Sequence, residues 1–269
     1  VPRTDEHQGE FVAPRAERLR WLTGFSGSAG LAIVLAETAA IFVDGRYTLQ
    51  VRQQADETIF LPLHLIESPP DKWIADTLPK GGRLGYDPWL HSQSAAEQFA
   101  KAAEKVGGEL VPVETNPIDA VWKNQPAAPI APIHTHDLVF AGKSAADKRR
   151  EIADLLSEDG VDAAVLTQPE SVAWLLNVRG GDVRHTPLPQ SYAILHCDST
   201  VEWFVDHRKL ITGLTEELGN EIAVQPVNAL GEKLVELGAS KAKVVVDPAT
   251  AAAYVFERLD GADIRRKED

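Results

Sequence analysis

The sequence contains one cysteine, Cys197, and no methionine among its 269 residues. A single cysteine cannot form a disulfide within the chain, which excludes a disulfide-stabilised secreted fold and favours a reducing cytoplasm. A natural stretch of this length without methionine is improbable, and the chain begins at Val1. We therefore expect a piece of a longer protein.

Long apolar runs and large basic clusters are also missing. No run approaches the roughly 18 apolar residues of a membrane span, and the first residues do not resemble a signal peptide. The formal net charge is −13, whereas a nucleic-acid-binding face needs clustered Lys and Arg. These absences argue against membrane and nucleic-acid partners. With 44% hydrophobic residues, the chain is predicted to be soluble and globular, with two domains.

Three glycines at every third position, Gly24, Gly27 and Gly30, follow a short predicted helix. A phosphate-binding loop would need Lys-Ser/Thr after the last glycine, and both it and the dinucleotide fingerprint would need a following helix. Here two aliphatic strands follow, LAIVLA and AAIFVD, which predict a hairpin. We therefore interpret the glycines as allowing a tight helix-to-strand connection at positive φ.

Three short patterns occur twice in the same order. The pairs are Trp21-Leu22 with Trp174-Leu175, FVDGR at 42–46 with FVDHR at 204–208, and Asp87-Pro88 with Asp247-Pro248. Each pair stands in the same kind of predicted local structure, and one insertion, RGGDVRHTPLP, explains the longer spacing in the second copy. The sequence therefore predicts two copies of one α/β domain.

The repeat sets the predicted domain boundaries. Residues 1–125 form the first domain, 126–143 a proline-rich linker, and 144–269 the second domain. A capping box is predicted at 94–97 in the first domain, and another helix cap at 144–147 in the second.

The second copy opens with a helix and strand, about residues 144–166, that the first copy lacks. Either the first domain is permuted, or about twenty residues precede Val1; we expect the latter because a missing strand would leave an open sheet edge. We also expect residues after the final strand.

Arg46 directly follows a predicted strand and a glycine. A guanidinium at the end of a rigid element can meet a carboxylate or carbonyl with its planar fork. From the residues alone, a surface ion pair with Asp44 is the favoured interpretation.

The inserted loop of the second copy carries Arg179, Asp182, Arg184 and His185. A histidine there could orient a substrate because its charge changes near neutral pH. A loop held by Arg–Asp pairs and prolines is equally compatible with the pattern. His134 and His136 resemble part of a metal site, but a site needs three or four ligands on a fixed scaffold, so we favour solvated side chains.

Several of these motifs together resemble a known family. WLTGFSGSAG, FVDGRYTLQ, GYDPW, NPIDAVW and WLLNVRGGDV with the following HTPLP and SYAILH are similar to the two N-terminal domains of three-domain Xaa-Pro aminopeptidases, in the creatinase/prolidase superfamily. The resemblance covers essentially the whole chain. It implies two tandem creatinase-type domains, each a mixed β-sheet flanked by helices in an RNase H-like arrangement, ahead of a pita-bread catalytic domain that this chain lacks.

The resemblance also implies a function. The family's catalytic domain uses two divalent metal ions, commonly manganese, to hydrolyse the bond before a proline in the second position. None of its metal ligands can be placed here, so we expect no metal, no catalytic residue and no activity in this chain alone. Arg46 occupies the position of a family arginine directed at the peptide substrate, which makes it a substrate-contact candidate. His185, Arg179 and Asp182 are weaker candidates, and Arg184 departs from the family pattern.

The resemblance further implies a cytoplasmic homodimer in which these domains shape substrate access and contact the catalytic domain. An alternative from another class is a non-catalytic module of creatinase-like fold that binds peptides or histones. The acidic net charge would suit basic partners.

Overall fold

The computed structural model describes all residues from Val1 to Asp269. The chain divides into two compact units, Val1–Ala127 and Ala128–Asp269, called unit 1 and unit 2 below. None of the helices combines the length and apolar character needed to cross a bilayer.

Unit 1 contains five helices and five strands. The helices are α1 (Arg18–Thr23), α2 (Thr48–Gln54), α3 (Pro70–Thr77), α4 (Gln93–Glu104) and α5 (Pro117–Val121). The strands are β1 (Gly30–Val34), β2 (Ala39–Val43), β3 (Phe60–His64), β4 (Arg83–Tyr86) and β5 (Glu109–Pro112).

The strands of unit 1 form two separate sheets. β1 and β2 pair antiparallel as the predicted hairpin, β3 joins β2 in parallel, and β4 pairs only with β5, also in parallel. Every residue of β2 is buried, because one face packs in a cluster with Leu19 and Phe25 and the other with Ile74 and Leu78. A strand covered on both faces needs the continuous aliphatic run that the sequence shows here.

Unit 2 contains six helices and eight strands. The helices are α6 (Leu138–Ala141), α7 (Ala145–Glu158), α8 (Pro169–Leu176), α9 (Leu214–Leu218), α10 (Leu230–Ala239) and α11 (Ala253–Arg258). The strands are β6 (His134–Thr135), β7 (Ala163–Leu166), β8 (Val178–Arg179), β9 (Tyr192–His196), β10 (Val201–Phe204), β11 (Ile222–Gln225), β12 (Lys243–Val246) and β13 (Asp263–Arg266).

Unit 2 has one six-stranded mixed sheet in the order β11-β10-β9-β7-β12-β13. β9 pairs antiparallel with both β10 and β7, while β10–β11, β7–β12 and β12–β13 are parallel pairs. The set β9-β10-β11 thus repeats β1-β2-β3 in order and direction, and β12-β13 repeats β4-β5. The predicted fold class is confirmed: both units are mixed sheets flanked by helices.

The segment predicted as a linker, 126–143, contains β6 and α6. β6 pairs antiparallel with β8, and Asp137 caps α6 by accepting a hydrogen bond from the Val139 amide. Prolines earlier in the segment disfavour helix, but they do not prevent one turn of helix after the last of them.

Two local predictions need correction. The N-cap of α4 is Ser92, whose hydroxyl accepts from the Ala95 amide, whereas Ser144 caps α7 as predicted. Of the loop glycines, Gly24 alone has a positive φ, 80°, as the C-cap of α1. At Gly27 a Cβ would lie 2.2 Å from the Phe25 ring; that glycine therefore makes room for a buried side chain instead of allowing a turn.

Candidate functional site

Arg46 lies in a 3-10 turn, Gly45–Tyr47, that begins where β2 ends. Asp44 caps this turn: its Oδ1 accepts from the Arg46 amide at 2.9 Å, and its Oδ2 accepts from Arg46 Nε at 2.9 Å and from Nη2 at 2.6 Å. These hydrogen bonds lower the pKa of the Asp44 carboxyl. The predicted pair with Asp44 therefore exists, and it fixes the plane of the guanidinium.

The pair leaves one edge of the guanidinium open. The Arg46 side chain is 61% exposed, and its Nη1 atom lies 4.0 Å from Glu10 Oε1. The guanidinium carbon lies 5.1 Å from the centre of the Tyr47 ring. An exposed guanidinium held in a defined plane can donate hydrogen bonds to an incoming carboxylate or carbonyl with little loss of side-chain freedom.

Tyr47 connects the turn to the glycine loop. Its hydroxyl lies 3.0 Å from Ser28 Oγ, Ser28 Oγ donates to Glu10 at 2.9 Å, and the ring packs edge-on against Phe25 with centroids 5.6 Å apart. The loop that contains Gly24, Gly27 and Gly30 thus supports the turn that carries Arg46.

The same turn occurs in unit 2. Asp206 caps the 3-10 turn His207–Lys209, and its carboxylate accepts from Arg208 Nε at 3.0 Å and from Nη2 at 2.6 Å. Hydrogen bonding to Arg208 lowers the Asp206 pKa to about 2. Arg208 is 66% exposed, so the Asp–Arg fork is a property of the repeated turn, and the fork alone does not distinguish Arg46.

The position after the arginine differs between the copies. Unit 2 has Lys209 where unit 1 has Tyr47, and this lysine side chain is 5% exposed. Its Nζ donates to Asp182 Oδ2 at 2.6 Å and to the Gln190 carbonyl at 3.1 Å. No sequence pattern singles out this lysine; the only signal is a cation at the repeat position of Tyr47.

Asp182 lies inside the inserted loop, and its side chain is fully buried. Besides Lys209, it accepts from the amides of Ala131 at 3.3 Å and Gln190 at 2.7 Å. These contacts give Asp182 a clear structural role, since it ties both ends of the loop to the body of unit 2.

The other candidates of this loop are spread along it. Arg179 is half-buried in β8 and donates from Nη1 to the Val178 carbonyl at 2.8 Å. Arg184 and His185 are exposed at the tip, where His185 has a φ of 62°. The structure therefore does not bring Arg179, Asp182 and His185 together around one point.

The histidines at 134 and 136 do not form a metal site. His134 pairs with Arg179 between β6 and β8, and the His136 ring stacks on Phe140 with centroids 6.0 Å apart. No group of three or more His, Cys, Asp or Glu side chains is arranged to hold a metal ion.

Comparisons with known proteins agree with two domains of one type. Two family models, both described as Creatinase/Prolidase N-terminal domain, match residues 9–121 and 124–269. The chain therefore belongs to the creatinase/prolidase N-terminal domain family.

Curated relatives show which kind of protein within this family the chain is similar to. Aminopeptidase P2 of Arabidopsis thaliana is 36% identical over 267 residues, which cover 97% of this chain and 38% of the relative. A probable Xaa-Pro aminopeptidase P of Paracoccidioides brasiliensis (strain Pb03) is 37% identical over 243 residues, covering 89% and 39%. The chain thus spans about two fifths of the length of these relatives and is similar to that part of an Xaa-Pro aminopeptidase.

A solved structure has the same fold. The X-prolyl aminopeptidase of Caenorhabditis elegans, described as a cytosolic enzyme with a di-nuclear active site, matches with a TM-score of 0.93 at 24% identity. The match covers 100% of this chain and 45% of the other. At this identity the comparison confirms the fold.

Proposed function

We propose that this chain is the N-terminal part of a metal-dependent aminopeptidase that removes the residue preceding a proline in the second position of a peptide. The match to Aminopeptidase P2, which covers 97% of the chain, supports this assignment most directly. The two divalent ions, for which manganese is our expectation, would supply the hydrolytic chemistry in the catalytic domain. In this proposal the whole protein is a cytoplasmic homodimer, and the present domains limit access to its active site.

Within this proposal Arg46 contacts the peptide substrate. Three properties support that role: the guanidinium is exposed, its plane is fixed by Asp44, and a rigid strand end carries it. A cation so placed suits a backbone carbonyl or the terminal carboxylate of a short peptide. His185 and Arg179 remain weaker candidates for substrate contact. For Asp182 the buried pair with Lys209 favours positioning of the loop over direct contact.

The activity is tested on the full-length protein. We expect release of the first residue from an Xaa-Pro peptide when manganese is added, little release from the matched Xaa-Ala peptide, and no release by residues 1–269 alone. Metal-stimulated release by this chain alone would refute the division of roles. A full-length protein that binds basic or histone peptides without cleaving any would support the non-catalytic module instead.

The role of Arg46 is tested by comparing two arginines in the same local geometry. In the full-length enzyme we expect Arg46→Ala to lower kcat/KM by about tenfold or more, the loss of about 1.4 kcal/mol or more of transition-state binding. Arg208→Ala removes an equivalent fork in unit 2 and serves as the matched control. Its kcat/KM should stay within about twofold, and both variants should keep wild-type metal content. Equal effects of the two substitutions would show that Arg46 has no special relation to the substrate.

A further inference from the structure

A cavity in unit 2 lies between the N-terminal end of α7 and the C-terminal end of α9. Its volume is about 300 Å³, and its walls include Thr135, Ala145, Ala146, Arg149, Glu217 and Leu218. None of the four candidates for substrate contact lies in these walls. The cavity is therefore a separate feature, with a cation on one helix and a carboxylate on the other.

The first turn of α7 brings backbone donors to this cavity. Ser144 caps the helix: its Oγ accepts from the Asp147 amide at 3.1 Å, and its carbonyl accepts from the Lys148 amide at 3.1 Å. The amides of Ala145 and Ala146 precede these two and have no acceptor within the helix. Both alanines lie in the cavity wall. Because α7 is 14 residues long, its N-terminal end carries a partial positive charge that favours an anion.

Arg149 extends toward the same end of the helix. Helical side chains lean toward the N-terminus, so the side chain at position 149 runs over Ala145, one turn earlier. The Arg149 side chain is 3% exposed, and its Nη2 donates to Glu221 Oε2 at 2.7 Å. Its Nε atom is buried and has no hydrogen-bond partner. A buried N–H of an ionised group costs free energy when it lacks an acceptor, and a ligand oxygen in the cavity would supply one.

A second buried cation lies beside Arg149. Lys148 donates to Asn177 Oδ1 at 2.6 Å and to the Trp174 carbonyl at 3.0 Å, and both of these acceptors are neutral. Asn177 is itself part of the cavity wall. Burial and then two neighbouring cations lower the pKa of Lys148. Glu221 offsets one of the two buried positive charges, so this end of the cavity favours a group with a single negative charge.

The exposed side of the cavity is acidic. Glu217 and Thr135 are exposed wall residues, and Glu217 Oε2 accepts from Thr135 Oγ1 at 3.1 Å. A carboxylate here repels a dianion such as phosphate and attracts a ligand that also carries a cation. Three leucines complete the walls, Leu138, Leu176 and Leu218. A ligand that matches all of these groups has a carboxylate, an ammonium group and an apolar side chain.

We propose that this cavity binds a free α-amino acid with an apolar side chain, such as leucine. The ligand carboxylate accepts hydrogen bonds from Arg149 Nε and from the first amides of α7. Its ammonium group pairs with Glu217, and its side chain packs against the three leucines of the wall. The proposal rests on the contents of this cavity and is independent of the enzymatic assignment.

Titration of the chain followed by NMR tests the site. We expect L-leucine to shift the amide resonances of Ala145 and Ala146 in a saturable manner. Two probes each lack one charged group of leucine: isocaproate has no ammonium group, and isoamylamine has no carboxylate. Each probe should bind at least about tenfold more weakly than leucine, because each leaves one charged side chain of the cavity without its partner.

Adjacent arginines of α7 provide a matched pair of variants. Arg149→Met should weaken leucine binding by at least about tenfold, because it removes the buried donor. Arg150→Met removes a guanidinium that is 63% exposed, and leucine affinity should change by less than about twofold. Glu217→Gln alters an exposed residue, so it tests the site even if Arg149→Met unfolds unit 2. It should weaken the binding of leucine and leave that of isocaproate unchanged.

Three results would overturn the proposal. The first is the absence of any shift of the Ala145 and Ala146 amides at about 10 mM leucine. The second is equal leucine affinity in the folded Arg149→Met variant and the unsubstituted chain. The third is a site that binds isocaproate or inorganic phosphate as tightly as leucine, because such a site would recognise anions in general.

Discussion

The two units share one strand order but differ in how the turn after the second strand is anchored. In unit 1 the residue after the arginine is Tyr47, whose ring and hydroxyl contact the glycine loop. In unit 2 it is Lys209, buried in an ion pair with Asp182 of the inserted loop. The comparison shows that the repeat preserves the exposed Asp–Arg fork and varies the support beneath it.

The difference in support implies a difference in sensitivity. Tyr47 contributes through packing against the glycine loop and one hydrogen bond, and loss of its hydroxyl leaves little unsatisfied. A buried lysine and aspartate depend on each other, because either one alone would be an uncompensated charge.

The largest effect is expected from breaking the buried pair. Lys209→Met should lower the free energy of unfolding of unit 2 by about 3–5 kcal/mol, because it leaves Asp182 buried without a cation. Tyr47→Phe at the matching position of unit 1 should lose only about 1 kcal/mol. Amide hydrogen exchange of β9 and β1, monitored at increasing urea concentrations, measures the loss of unfolding free energy in each unit separately. Similar losses in both variants would contradict this account of the two anchors.

The next effect is a loss of stability of unit 1 at acid pH, and it depends on a residue after β4 that differs between the two units. His91 is buried, and its Nδ1 lies 2.9 Å from the Asp87 carbonyl; the matching position in unit 2 is Ala251, also buried. Burial lowers the His91 pKa from 6.5 to about 4. On acidification His91 binds a proton at a higher pH in the unfolded chain than in the folded chain. The stabilising contribution of neutral, buried His91 is therefore fully present above about pH 6.5 and is lost as the pH falls toward 4.

Acidification from pH 7 to 4 should therefore cost unit 1 about 3 kcal/mol through His91. Chemical unfolding at a series of pH values measures the slope, and His91→Gln should flatten it between pH 6.5 and 4. An unchanged slope in His91→Gln would show that other groups cause the acid sensitivity.

A smaller effect is expected at the helix C-caps that precede β1 and β8. Gly24 ends α1 with a φ of 80°, and Asn177 ends α8 with a φ of 51°. A Cβ at Gly24 would lie 2.7 Å from the Gln54 carbonyl, so Gly24→Asn should destabilise unit 1 by about 2 kcal/mol.

The reverse substitution isolates the side chain at the other cap. Asn177 Oδ1 accepts from Lys148 Nζ at 2.6 Å and its Nδ2 donates to the Lys143 carbonyl at 2.9 Å. Asn177→Gly should lose about 1 kcal/mol with these hydrogen bonds. Thermal unfolding of both variants checks the order. A larger loss for Asn177→Gly would show that the side-chain contact outweighs the steric restriction at Gly24.

Much of the architecture could be predicted from residues alone. The hairpin of β1 and β2, the cap at Ser144 and the repetition of FVDGR as FVDHR depend on local preferences and short-range periodicity. The same holds for the pair of Arg46 with Asp44, two positions away, because a cap residue and the turn that it caps are set within a few bonds.

Other features depend on residues far apart in the chain. The sequence predicts Ser94 as the N-cap of α4, whereas Ser92 is the N-cap in the structure. Both serines suit an N-cap, and the packing of the helix decides between them. Gly27 accommodates a ring that turns back into the core, which no glycine pattern indicates. The roles of Asp182 and Lys209 could not be inferred because 27 positions separate them.

The sequence by itself therefore determined two α/β domains of one family, and an arginine at the end of a strand in each. Only the tertiary structure decided which charged side chains are buried together and how each turn is supported. The physical reason is that strands and caps arise from neighbouring residues, whereas burial and charge pairing require segments that meet only in the folded chain.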